Sequence, residues 1–381
     1  MNKSVFIYAG LLLLSLGAAW QRYTGGEEVE KEGVQLIDAK AADLEKVVYT
    51  TPELTVTFEM KTDAFGRYGW ATVEDRKKKG KDDTAPVEPK VTTFKTGTPA
   101  DKVVEAFAPM FALRELAATD DAQLTSFGLK EPDTTVAVTV GGKTLTYDLG
   151  GETYGTKDRY ARSQADGKLY VFDDEPFKTL KFAATRLPER GLMAAKVEQV
   201  SEITLGLGGA TARWSQKNRD DKAAAYWERD GSAGKDETFG NWLDKALKLK
   251  STAYVQEGEA PAELVPAFDL TIRSDGQSAE TVSLLQGGED WYARSESTRG
   301  LVKLSRGPAK DAAEDAKDVV EGRTPPADPA PPAKDAAAMG GSAPPPGAPP
   351  GAGSAAPGAP APPSGPPPRP TLPKPPGGGP K

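Results

Sequence analysis

Asp158-Arg159-Tyr160-Ala161-Arg162-Ser163 returns later in the chain as Asp290-Trp291-Tyr292-Ala293-Arg294-Ser295, with five of six residues the same. A six-residue echo is weak evidence by itself, so its flanks decide. Each copy is preceded by Gly-Gly-Glu, at Gly150, Gly151 and Glu152 and at Gly287, Gly288 and Glu289. Each is followed at the same distance by a proline, Pro176 and Pro308. The hexapeptide therefore acts as a register mark for one β-rich module used twice.

Working outward from the first copy, Leu44–Tyr49 and Leu54–Phe58 read as strands around Thr51-Pro52-Glu53, and Tyr68–Val73 as a third. Thr135–Val140 and Thr144–Leu149 flank Gly141-Gly142, a two-residue hairpin signal. The hexapeptide and Leu169–Phe172 form another hairpin around Asp166-Gly167. Between these strands, Val103, Val104, Phe107, Met110, Phe111 and Leu113 have near-helical spacing, with Thr98 as a cap and Pro109 as a break. The second module repeats the order with Val200–Leu205, Tyr226–Glu228, a helical stripe of Phe239, Trp242, Leu243, Ala246 and Leu247 capped near Asp236, and strands at 268–272, 281–284 and 301–304. Asp311 to Val320 reads as a short closing helix. Trp70 and Trp227 fall on matching strands and are expected in the core. Their offset differs from that of the hexapeptides, which assigns an insert at 76–98 to the first module.

The chain of 381 residues has no Cys and no His. That removes disulfides, thiolate nucleophiles, Cys-ligated zinc and the Ser-His-Asp triad. Carboxylate chemistry, Ser-Lys chemistry and oxygen-ligated Ca²⁺ or Mg²⁺ survive. Net charge is −7, which disfavours nucleic acid as a partner. No cofactor, metal site or catalytic residue is expected.

Val5 to Trp20 is an apolar run between Lys3 and Arg22, a signal-anchor that exports the body; a cleavable signal peptide with Gly17 and Ala19 before the cut is the alternative. After Arg323 the composition changes: 22 of the chain's 33 prolines lie between Pro325 and Pro380, and no aromatic residue accompanies them. Such a segment cannot bury a core and is expected to be disordered.

The expected fold is thus α+β: a transmembrane helix in 1–24, a stalk at 25–42, a first module at 43–184, a second at 185–322, and a Pro-rich tail at 323–381. Each module is an antiparallel sheet with one packed helix.

Tyr160 and Arg162, and likewise Tyr292 and Arg294, lie two apart on a strand and so share a face. They are the candidate binding face for a glycan or acidic ligand. The structural alternative has each Arg packing across the sheet and pairing with Asp158 or Asp290. Ser232-Ala233-Gly234-Lys235 has Ser-x-x-Lys spacing without its partner motifs, and Asp173-Asp174-Glu175 lacks the spacing of a calcium loop.

In order, Leu44–Tyr49, Tyr68-Gly69-Trp70, Phe127-Gly128-Leu129-Lys130-Glu131-Pro132, Gly150-Gly151-Glu152, Tyr160-Ala161-Arg162 and Leu169–Phe172 resemble the bacterial domain-of-unknown-function family DUF 4340. The resemblance covers roughly Leu44 to Leu304. It implies a membrane-anchored extracytoplasmic protein, of a kind often encoded beside gliding-type ABC transporter permeases and auxiliary subunits. It carries over no catalytic residues. The second copy departs from the pattern by placing Phe268-Asp269-Leu270 at the Gly-Leu-x-x-Pro turn, and the tail is extra. The expected function is therefore a non-catalytic accessory or scaffold in the inner membrane, held through residues 5–20, with an ABC permease or auxiliary subunit as partner and a cell-wall contact through the tail. A cell-envelope glycan-binding or ligand-binding module is the alternative, and a carboxylate-dependent hydrolase the third reading.

Overall fold

The computed structural model describes residues 33–76, 88–117, 119–276 and 278–323. The first part of the chain contains strands β1 (Val34–Ile37), β2 (Leu44–Thr50), β3 (Leu54–Asp63), β4 (Gly66–Asp75) and β5 (Lys90–Lys95). Helix α1 (Asp101–Phe107), β6 (Met110–Ala112), β7 (Arg114–Leu116) and α2 (Asp121–Ser126) follow. Then come β8 (Thr134–Val140), β9 (Lys143–Glu152), β10 (Arg159–Ser163), β11 (Leu169–Phe172), α3 (Glu175–Lys181) and α4 (Ala183–Arg186). The second part has β12 (Val200–Leu207), β13 (Ala210–Lys217), β14 (Tyr226–Arg229), α5 (Glu237–Ala246), β15 (Ser251–Tyr254) and β16 (Val265–Ser274). It closes with β17 (Glu280–Gly287), β18 (Asp290–Ser295), β19 (Val302–Leu304) and α6 (Arg306–Glu321). The class is mixed α+β, dominated by antiparallel sheet.

The first sheet runs β5-β4-β3-β2-β8-β9-β10-β11-β7 and the second β14-β13-β12-β16-β17-β18-β19-β15. With β5 set aside, the two orders correspond strand for strand. Finer marks agree too. Both central pairs carry a bulge at the same place, between Leu44 and Lys46 in β2 and between Val200 and Glu202 in β12. In the turn after each hexapeptide, Gly167 N–H donates to the Ser163 carbonyl and Arg299 N–H to that of Ser295. Pro176 and Pro308 fall in the first turn of α3 and α6, where the missing N–H has no intrahelical partner to lose.

Several expectations change. Each sheet carries more than one helix: α3 and α4 contact the first, with α1 packed on α3, and α5 and α6 pack together on the second. The closing helix is longer than expected, at Arg306–Glu321, and ends on Gly322 in the left-handed conformation. Residues 33–42 are not stalk, because β1 pairs with β6 and Ile37 is buried. Four residues are too few to show a periodicity. The helical run stops before Pro109, and Met110, Phe111 and Leu113 leave the helix, since proline both lacks a donor and turns the preceding residue extended. The insert at 76–98 contributes β5, a full edge strand on β4. Residues 1–32 and 324–381, which carry the anchor and tail readings, lie outside the described residues. No helix among the described residues is long and apolar enough to cross a membrane.

The tryptophan pairing also changes. Val47 faces Phe58, which faces Ala71; in the second sheet Ile203 faces Trp214, which faces Arg229. In that register Met60 opposite Gly69 corresponds to Gln216 opposite Trp227. Gly69, not Trp70, is therefore the counterpart of Trp227. The shift is one residue, which in a strand reverses the face. Trp227 is buried edge-on to Phe239, whereas Trp70 is half-buried under Lys61, whose Nζ lies 5.3 Å from the ring.

Candidate functional site

The four residues of the candidate face separate in space. In the first module the local packing uses up both. Tyr160 stacks on Phe127 with ring centroids 4.2 Å apart. Phe127 is placed by its own carbonyl, which accepts from Gly151 N–H at 2.8 Å. A Cβ on Gly150 would lie 2.2 Å from that carbonyl, so the Gly-Gly-Glu motif exists to let this turn approach. Arg162 donates to Asp148 Oδ2 at 2.8 Å, and Gln164 holds the other oxygen at 2.7 Å. Its partner is thus on the neighbouring strand β9, not Asp158. Asp174, from the acidic triplet, is almost fully buried and holds Arg159 at 2.8 Å and Lys178 at 3.2 Å. That triplet is a structural anchor.

In the second module Tyr292 is buried. A Cβ on Gly287 would lie 2.9 Å from Pro261, 3.0 Å from Tyr292 and 3.1 Å from Leu264, so these groups converge as the Phe127 corner does in the first module. The register puts Pro261, rather than Phe268, at the Phe127 position.

Arg294 differs from Arg162. The counterpart of Asp148 is Ser283, which faces Arg294 across β17 and β18. Ser283 donates instead to Asp269. Arg294 is exposed and, among the described residues, forms no hydrogen bond or ion pair. It lines an open cleft of about 610 Å³ with Thr281, Ser283, Glu296, Arg299 and the Asp63–Phe65 tip of the β3–β4 hairpin. The cleft is thus built by both sheets.

Arg299 makes the wall between them. Its guanidinium donates to both oxygens of Asp63, at 2.9 and 3.0 Å, and lies 4.9 Å from the Tyr68 ring centroid and 5.6 Å from that of Phe65. This fork holds the Asp63 carboxyl below the ordinary carboxylate range. Arg299 has φ 52, at the position where the first module has Gly167 with φ 73. A non-glycine residue in that region is strained, and here it is retained with a side chain that joins the two sheets.

The joint continues along β5. The Gln256 side chain accepts from Thr93 N–H at 2.7 Å and donates to the Thr93 carbonyl at 3.4 Å, imitating a strand partner. Tyr254 Oη donates to the Lys95 and Glu189 carbonyls, at 3.3 and 3.1 Å, and burial pushes its pKa well up. Lys95 sits 3.7 Å from Glu189, and burial pulls its pKa down. Behind the cleft, Glu280 is buried and accepts from Ala194 and Ala195 N–H. Burial still raises its pKa above the ordinary value.

The cleft therefore offers one unpaired guanidinium, hydroxyls from Thr281 and Ser283, and the half-exposed Phe65 ring. Of its carboxylates, Asp63 is paired with Arg299, and Glu296 accepts Thr281 N–H at 2.6 Å through one oxygen. Sequence reasoning found Arg294 but missed Arg299, Asp63 and Phe65. The only local signal was an Arg where the register calls for a turn glycine. Among the described residues no group of three or more Asp or Glu stands close enough to hold a metal ion.

Fold and cleft together define a class: an α+β protein of two like-ordered antiparallel sheets that share a cleft at their joint. Residues 83–268 match the model of the family described as Domain of unknown function (DUF4340), which bears out the resemblance read from the sequence. The match runs from just before β5 into β16; it takes in Thr93, Lys95, Glu189, Tyr254 and Gln256 of the joint, while the residues that line the cleft lie outside it. No curated protein matches the chain.

Proposed function

We propose that this protein is a non-catalytic accessory or scaffold subunit, anchored in the bacterial inner membrane by residues 5–20, with its body in the periplasm and an ABC-type, gliding-like transport system as its partner. The body is a tandem duplication whose second copy presents the docking cleft, and the Pro-rich tail at 323–381 is a spacer with a cell-wall contact. The observation that carries the reading is the state of the cleft. Its exposed Arg294 side chain has no hydrogen bond or ion pair among the described residues, whereas Asp63 is paired with Arg299 and Glu296 accepts Thr281 N–H through one oxygen. Such a surface suits an acidic segment of a partner, because a guanidinium takes a carboxylate through two parallel hydrogen bonds. The apolar run Val5 to Trp20 between Lys3 and Arg22 supports the anchoring.

A second reading, an envelope glycan-binding module, is favoured by the Phe65 ring beside Arg294 and the two hydroxyls, a grouping suited to sugar stacking. Co-purification from detergent-solubilised membranes separates the two. The accessory role requires a permease or auxiliary subunit to come down with the wild-type chain and to be depleted by Arg294→Glu. Recovery without any permease, together with Arg294-dependent binding to cell-wall sacculi, would replace it with the glycan reading.

A further inference from the structure

The interior of the second module is not filled in the way the first is. Between α5 and the sheet lies a cavity of about 290 Å³, walled by Leu249, Leu270, Ile272, Val282 and Leu284 and closed on one side by the 191–198 connection. Protein interiors are packed like organic crystals, with few voids larger than a water molecule. A cavity of roughly 150 Å³ lined by aliphatic groups already stays dry and admits benzene. The register identifies one source of the space. Val282 stands where the first module has Tyr147, whose ring fills the equivalent interior, 5.3 Å from Phe172 and 6.3 Å from Tyr170.

The rim has a distinct charge. Lys196 and Lys250 border the cavity, and both are exposed. Among the described residues neither ammonium group has a carboxylate within ion-pair distance. The rim's acid, Glu198, is held by Lys222 at 2.9 Å. The space is thus an apolar slot with two unpaired cations at its mouth.

We infer that this cavity binds a medium-chain fatty acid, with the chain under α5 and the carboxylate at Lys196 and Lys250. The volume suits one such chain and not the paired chains of a phospholipid. The two lysines select an anionic head over an alcohol. The inference does not depend on the transport role, since cavity and cleft share no residue.

The test uses the full chain in nanodiscs, because detergent would compete for an apolar cavity. A photoreactive decanoate is cross-linked, and the labelled peptides are mapped by mass spectrometry. Label is expected on peptides from 191–198, 246–250 and 268–284. Unlabelled decanoate should compete about tenfold better than decanol. Val282→Phe, which fills the space, should abolish labelling. Lys196→Glu with Lys250→Glu, both at exposed positions, should reduce it about tenfold with the fold intact by circular dichroism. If Val282→Phe fails to fold, the lysine pair decides. Label spread over the surface, equal competition by decanol, or undiminished labelling of the folded lysine variant would overturn the inference.

Discussion

The two modules share a strand order but put their aromatic mass at opposite ends. In the first, Tyr147, Tyr170, Phe172 and Phe177 cluster where β9 and β11 meet α3. Their counterparts in the second are Val282, Val302, Leu304 and Ala309. There the rings gather instead around α5. Trp214 stacks on Phe239 with centroids 4.0 Å apart, and Trp242 meets Phe268 edge-on at 5.4 Å. The small face of α6, with Ala309, Ala312 and Ala316 fully buried, then lets the Trp242 indole N–H reach the Ala312 carbonyl at 2.9 Å. One topology thus tolerates two core solutions, because what the two modules share is strand order, the register and bulge of the central pair and the turn after the hexapeptide, rather than side-chain volume. The same holds outside the core. Arg162 is bonded and Arg294 is free, and a turn glycine has become Arg299.

The largest expected effect comes from attacking the second core. Trp214→Ala removes a fully buried ring and the indole that donates to Asp236 Oδ2 at 2.8 Å, while Asp236 also caps α5 through Phe239 N–H. A loss of about 3–5 kcal/mol is expected in chemical denaturation, as for other buried Trp or Phe truncations. If the second module then unfolds in a separate, earlier transition, the cores are independent. A single shifted transition would mean the joint couples them.

Next in size is the joint itself. Arg299→Ala loses the Asp63 fork and both ring contacts yet keeps the left-handed backbone, and about 2 kcal/mol is expected. Arg299→Gly loses the same contacts but relieves the strain, so its cost should be about 1 kcal/mol smaller. Equal costs would show that the left-handed residue is unstrained and that the comparison with Gly167 means nothing.

The paired arginines give a smaller stability contrast. Arg162→Ala leaves the buried Asp148 with Gln164 alone and should cost about 1–2 kcal/mol. Arg294→Ala removes no side-chain hydrogen bond or ion pair among the described residues and should change stability by less than about 0.5 kcal/mol. The reverse ranking, read from denaturation midpoints, would mean that Arg294 has a structural partner.

The finest probe is pH. Glu280 has its pKa raised in the folded protein, chiefly by burial and further by Glu296, against lowering by the Ala194 and Ala195 N–H groups and by Arg299. A raised acid favours folding while protonated, so that contribution is present below the ordinary value of 4.5 and is lost as pH rises through the folded value. Its counterpart in the first module is Leu145, which has no such dependence. Glu280→Gln should therefore gain on wild type as pH is raised from about 4 toward 7, by thermal denaturation at each pH. A stability difference that does not change with pH would contradict it.

Much of this comparison could be read from sequence. The hexapeptide, the Gly141-Gly142 and Asp166-Gly167 turns and the two prolines marked most strands and their order, because turn chemistry and alternation are local. What escaped was non-local or too short. β1 has four residues, and β5 was hidden in an apparent insert that returns to pair with the edge of β4. The tryptophan pairing failed by one residue, since a sequence offset cannot see which face a strand buries. The partner of Arg162 came from β9 rather than from its own strand. The cleft was invisible because its walls, Asp63 and Arg299, are brought together only when the two sheets meet.

The central claim is that the second copy's arginine is kept free for a partner while the first copy's is built into the fold. Wild-type, Arg162→Ala and Arg294→Ala chains recovered in equal amounts from solubilised membranes test it most directly, with co-purifying subunits quantified by mass spectrometry. Arg294→Ala is expected to lose about tenfold of the permease or auxiliary subunit at unchanged thermal midpoint, and Arg162→Ala to lower the midpoint while the surviving folded protein keeps its partner. Full partner recovery with Arg294→Ala would contradict the account.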